Sequence, residues 1–120
     1  MATTDTCCTI APYFKVQADK LDEFKKICAQ LVEKSNQESK CLFYGFTFTE
    51  DQVHCREGYA DGEAVLNHLE NVGPLLQEAL KIAKITRLEV HGPGEELAKL
   101  HNPMASLNPQ FFSLEYGFRR

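Results

Sequence analysis

The chain has 120 residues, 43% of them hydrophobic and 25% charged, with a formal net charge of −4. That is the composition of one globular domain, and its acidic balance gives no basic footprint for nucleic acid and no attraction to an anionic membrane. No apolar run approaches the roughly 18 residues of a membrane span, and the start MATTDTCCTI lacks the basic and long apolar regions of a secretory signal.

The five cysteines, Cys7, Cys8, Cys28, Cys41 and Cys55, are odd in number and contain no CxxC pair. Most fall in expected strands or a helix, where small free thiols pack as apolar residues. A reduced, cytoplasmic protein is therefore expected.

In chain order, CTIAPYFKV (7–15, extended by Val16) reads as a strand rich in aromatic and β-branched residues. Pro12 cannot donate to a ladder, so it implies an edge, a bulge or a free side at that point. The next segment turns helical, with Leu21, Phe24, Ile27, Cys28, Leu31 and Val32 on one face. Asp19 is the expected N-cap, with Asp22 three residues on. Residues 40–50 and 52–60 read as two strands joined by a short polar hairpin at Glu50–Gln52.

Asp61 should cap a helix that Gly73-Pro74 interrupts, with Pro74 opening a second helix ending near Lys81 and Lys84. ITRLEVHG (85–92) alternates as a half-exposed strand, PGEELAKLHN as a short helix, and PMASLNPQ as a loop that is either a plain connection or a lid. FFSLEYGFRR reads as a last aromatic strand. The order β-α-β-β-α-β plus an extension is the split βαβ arrangement, an α+β fold with helices on one face of an antiparallel sheet. A single domain over 1–120 follows, with its core at about 7–92 and a C-terminal helix and strand at 93–120.

Both faces of this sheet carry large side chains. Residues 42, 44, 46 and 48 oppose 43, 45 and 47; residues 112, 114, 116 and 118 oppose 111, 113 and 115. Helices cover only one face, so a second copy packing sheet to sheet is expected.

The element order and the pattern E-G-Y-A-D-x-E-A-V-x-x-H over 57–68 resemble the antibiotic biosynthesis monooxygenase family. Its members are dimeric α+β barrels of ferredoxin-like topology. The resemblance covers roughly residues 7–92, and the C-terminal segment is similar to an extension found in a subgroup of uncharacterised monooxygenase-like proteins. It implies a homodimer that binds a small molecule, needs no cofactor, and places a helix histidine at His68. This chain departs from the cofactor-free oxygenases of the family: it has no tryptophan, and Pro12 and Tyr13 stand where their first-strand asparagine is expected. Haem-degrading relatives use a further histidine where this chain reads Gln77-Glu78-Ala79, so haem degradation is not implied.

His68 lies at the border of an apolar helix face, among Val65, Leu69 and Val72. It is either a general base at a cavity mouth or a border histidine bonded to a backbone carbonyl or to Glu57. If Glu57 and Tyr59 face inward, Glu57, His68 and Tyr13 or Tyr44 form a polar cluster in an aromatic pocket; otherwise Glu57 serves an interface or core salt bridge. The alternating sides of His54, Cys55 and Glu57 do not converge on an ion, so no metal site is expected, and no GxGxxG or GxxxxGK[ST] run is present.

The resulting expectation is a cofactor-free monooxygenase or proton-transfer enzyme acting on a small phenolic or quinonoid molecule. His68 would take the proton and Glu57 would orient it, in a cavity lined by Tyr13, Phe14, Tyr44, Phe46, Tyr59 and Leu76. The alternative is a non-catalytic small-molecule-binding or stress-response protein that keeps the barrel, which the missing tryptophan and asparagine favour.

Overall fold

The computed structural model describes residues 4–120. In chain order its elements are β1 (Cys8–Val16), α1 (Leu21–Asn36), β2 (Cys41–Thr49), β3 (Gln52–Tyr59), α2 (Gly62–Ala79), β4 (Ala83–Gly92), α3 (Gly94–Ala98), a turn of 3-10 helix (Ala105–Leu107) and β5 (Gln110–Ser113). They form one five-stranded sheet in the order β2-β3-β1-β4-β5. The first four strands pair antiparallel and β5 joins β4 in parallel. This is the expected ferredoxin-like α+β fold.

The period of two along β1 sends Cys8, Ile10, Phe14 and Val16 under the helices and Thr9, Tyr13 and Lys15 to the open face. β3 does the same with Val53, Cys55, Glu57 and Tyr59, all buried. Pro12 does not sit on an edge, since β1 is the sheet's middle strand. Its ladder to β3 skips Ala11 and Pro12, leaving that side free, and the ladder to β4 slips just beyond it, between Tyr13 and Phe14.

α1 packs beside α2. Its buried stripe is Phe24, Cys28, Leu31 and Ser35, while Val32, expected in that stripe, is exposed. Its N-cap is Lys20, without a side-chain cap bond. Asp19, expected there, instead takes a positive φ of 65° in the preceding turn. α2 begins as expected on Asp61, whose carboxylate accepts the Ala64 N–H at 2.8 Å.

α2 does not break at Gly73-Pro74. Pro74 and Glu70, four residues back, are both exposed, and Val72, Leu76 and Ala79 carry the apolar stripe through the solvent-side proline. The helix ends at Ala79, so Lys81 falls in the following turn and Lys84 in β4. The last strand is shorter than the aromatic run suggested. β4 ends at Gly92, paired with Ser113, and beyond it no strand remains to pair with. The tail from Leu114 is irregular, with Tyr116 80% and Phe118 77% exposed. Arg119 ties it back to Asp5 at 2.8 and 2.9 Å.

On the open face the large side chains are paired rather than bare. Tyr13 stacks on His54 with ring centroids 4.2 Å apart, His91 on Phe112 at 4.6 Å, and Arg56 lies over the Phe43 ring at 5.0 Å. Glu89 sits between Arg87 and His91. All five cysteines are free thiols.

Candidate active site

A small cavity of about 60 Å³ lies between the helices and the sheet. Its walls are almost wholly apolar: Ile10, Pro12 and Phe14 of β1, Phe24 and Leu31 of α1, Leu69, Val72 and Leu76 of α2, and Ile85 and Leu88 of β4 all line it. The polar groups on it are confined to one side, with Tyr44 from β2, Cys55 and Glu57 from β3, and His68 from α2. Register explains the convergence, because Tyr44 pairs with Glu57 and Phe46 with Cys55 across the β2–β3 ladder.

His68 is only 3% exposed and is held between two carboxylates. Its Nδ1 lies 3.1 and 3.0 Å from the two Glu38 oxygens, and its Nε2 lies 3.6 Å from Glu57 Oε1. Asn71, one turn further along α2, donates to Glu38 Oε2 at 2.8 Å and to the Lys34 carbonyl at 3.2 Å. The Lys34 ammonium donates in return to the Asn71 carbonyl at 3.2 Å. Glu38 is thereby fixed, and its partners assign the imidazole the tautomer with Nδ1–H donating to Glu38 and the Nε2 lone pair turned toward Glu57. Burial holds the His68 pKa below its ordinary value, with Glu38 opposing that shift. That shift favours the neutral ring, with Nε2 as its basic nitrogen.

Glu57 is 5% exposed, and burial pushes its carboxyl up from 4.5 to about 7, against the lowering effect of donors Tyr59 and Cys55. The Tyr59 hydroxyl donates to Glu57 Oε1 at 2.6 Å. Burial also raises Tyr44, Cys55 and Tyr59, each raised further by the Glu57 charge, so all three stay protonated. A carboxyl poised near neutrality beside a neutral imidazole is an acid–base pair matched to pH 7.

Of the residues expected here from sequence, Phe14, Tyr44, Phe46, Glu57, His68 and Leu76 line the cavity. Tyr59 lies behind it, fully buried, with its ring 4.9 Å from His68. Tyr13 does not take part: alternation along β1 puts it on the open face, against His54. The carboxylate that holds Nδ1 is Glu38, whereas Glu57 faces Nε2. The sequence reading missed Glu38 and Asn71. Glu38 sits in the polar stretch SNQES that closes α1 and leads out of it, which looks like plain connection. The one signal was Ser35, a polar residue at the end of the buried stripe of α1 and beside the Tyr44 hydroxyl. Among the described residues no group of three His, Cys, Asp or Glu is arranged to hold a metal ion, and no helix is long and apolar enough to cross a membrane.

The fold and this buried acid–base cluster define a ferredoxin-like α+β protein with a mainly apolar internal cavity. In solved structures the chain is similar to MupZ from Pseudomonas fluorescens, at 47% identity and a TM-score of 0.94 over 100% of this chain and 94% of that one. The chain belongs to the same family as MupZ.

More distant structures share the fold alone. A conserved protein from Methanosarcina mazei Go1 matches at 18% identity and a TM-score of 0.66, over 71% of this chain and 90% of its own. SnoaB, a cofactor-independent oxygenase from Streptomyces nogalater, solved as a point mutant, matches at 12% and 0.63 over 71% and 90%. An antibiotic biosynthesis monooxygenase candidate from Caulobacter crescentus matches at 21% and 0.63 over 72% and 88%. No family model matches the chain, and no curated protein does.

Proposed function

We propose that this chain is a cofactor-independent proton-transfer enzyme acting on a small, uncharged, largely apolar molecule with a phenolic, enolic or quinonoid oxygen. The observation that carries the reading is the line Glu38–His68–Glu57 on the one polar side of an apolar cavity. Nε2 takes a proton from the substrate, and the imidazolium so formed is stabilised by Glu38 at 3.0 Å. Glu57, protonated below about pH 7, donates to or steadies the substrate oxygen. The apolar walls exclude water, which strengthens both interactions.

The test is solvent deuterium exchange, or tautomerisation, in a panel of hydroquinones, anthrones and enolisable ketones. Folded His68→Gln should lose roughly 10²–10⁴-fold in rate. A folded variant that turns over at the wild-type rate would sink the assignment. The likeness of fold to SnoaB favours a second reading, in which the anion left by proton abstraction goes on to react with dioxygen. An oxygen electrode separates the two: exchange without oxygen uptake leaves proton transfer as the activity. Binding with neither exchange nor uptake would mean the non-catalytic alternative.

The same reading includes a homodimer built through the open sheet face. Tyr13, Phe43 and Phe112 are 36–40% exposed there, and the face carries both signs of charge, Arg56 and Arg87 against Glu89. A two-fold axis lets such a surface complement itself.

A further inference from the structure

The βαββαβ core spans residues 8–92, or 85 of the 120 residues. That equals the 71% of this chain that SnoaB and the Methanosarcina protein cover with 90% of their own lengths, whereas MupZ matches the whole chain. The segment after Gly92 lies beyond this core, and it is built in rather than appended. Leu97 and Leu100 are 3% and 0% exposed. The Glu96 carboxylate accepts the Gly62 N–H at 2.9 Å at the start of α2, and Lys99 neutralises it at 3.1 Å. These contacts seat the following turn so that Met104, 1% exposed, and half-buried Leu107 form part of the cavity wall.

The cavity is polarised. Its hydrogen-bonding groups come from β2, β3 and His68. Its opposite side is Leu88 of β4 together with Met104 and Leu107. β3 and β4 flank β1 on either side, so about 10 Å of apolar floor separates the two ends. No lysine or arginine lines it, so a carboxylate or phosphate buried there would go unpaired at high cost.

We propose that Met104 and Leu107 are specificity-determining residues: they form the end wall for an uncharged amphiphile whose oxygen-bearing head lies at His68 and Glu57, and they set the length of its apolar chain. This rests on the acid–base reading of the cavity, which supplies the head's position.

The probes are 4-alkylphenols from ethyl to decyl, with affinities measured by calorimetry on wild type, Leu107→Ala, Leu107→Phe and Met104→Ala. Each methylene added before the wall is reached should tighten binding about fourfold, and affinity should then stop rising. In Leu107→Ala and Met104→Ala that limit should move out by about two or three methylenes, and in Leu107→Phe it should move in. Leu107 is only half-buried, so its variants keep the assay usable if Met104→Ala does not fold. An unchanged limit in folded Leu107→Ala and Leu107→Phe overturns the proposal while leaving the acid–base reading intact. Moved limits with full turnover in His68→Gln would do the reverse. Absence of any alkylphenol binding to wild type would remove both.

Discussion

Replacing Glu57 by glutamine should change how stability depends on pH, and by a calculable amount. Burial raises the folded carboxyl from 4.5 to about 7. Below the lower value both folded and unfolded chains hold the proton, and Glu57 contributes no pH dependence. Between the two values the unfolded chain releases its proton and the folded chain keeps it, so stability falls as pH rises and levels off above about 7. Two and a half pKa units correspond to about 3 kcal/mol, or a urea midpoint lower by about 1.5 M at an m-value near 2 kcal/mol/M.

Glutamine still accepts from Tyr59 but cannot ionise, so Glu57→Gln should be relatively more stable by about that amount at pH 8 than at pH 4.5. His68 pulls the other way: its depressed pKa costs stability as pH falls below the ordinary histidine value of 6.5. The comparison is therefore made both in wild type and in His68→Gln, by urea unfolding at intervals from pH 4.5 to 8. A difference between Glu57→Gln and its parent that stays flat across this window in both backgrounds, or slopes the other way, would show that Glu57 is not held protonated by burial.

Glu38→Gln removes the charge that raises His68, so the acid-side limb of the pH–rate profile, where the base loses its proton, should shift to lower pH and the rate should fall roughly 10–100-fold; an unshifted profile argues against Glu38 as the positioning group. Gly58→Ala would drive a Cβ into the Phe43 ring, which must leave its place over the glycine and beside Arg56, at a cost of about 1–3 kcal/mol by thermal unfolding; the double change with Phe43→Ala should recover most of it. Sedimentation at micromolar concentration should find two copies, and Phe112→Glu, which breaks the stack on His91 at 4.6 Å, should leave one; a wild-type monomer refutes the open-face interface.

The fold is legible because it is written in local patterns. The alternation of β1 and β3, the Asp61 cap and the hairpin at Glu50-Asp51 each follow from side-chain chemistry within a few residues. The misreadings arise where a distant neighbour decides the outcome. Pro74 reads as a helix break, but its position on the solvent face, known only once α2 is packed, lets the helix run on. The alternating aromatics of 111–118 read as a strand, but a strand needs a partner, and β4 has ended. Tyr13 suits the cavity by its chemistry, although the alternation that buries Phe14 already puts it on the other face.

Glu38 shows why the site is harder to read than the fold. Nothing in SNQESK marks one carboxylate among its polar neighbours. Its role comes from α1 ending alongside α2, which brings residue 38 to residue 68 across 30 positions of sequence. His68 and Glu57, by contrast, are recognisable as misfits, a histidine on an apolar helix stripe and a glutamate on the buried side of a strand. A buried ionisable group is costly unless something compensates it. Replacing the pair by apolar residues would be the cheaper way to fill this core, so a chain that keeps Glu57 near neutrality beside an oriented imidazole, on the wall of a small internal cavity, bears a cost that structure alone does not repay.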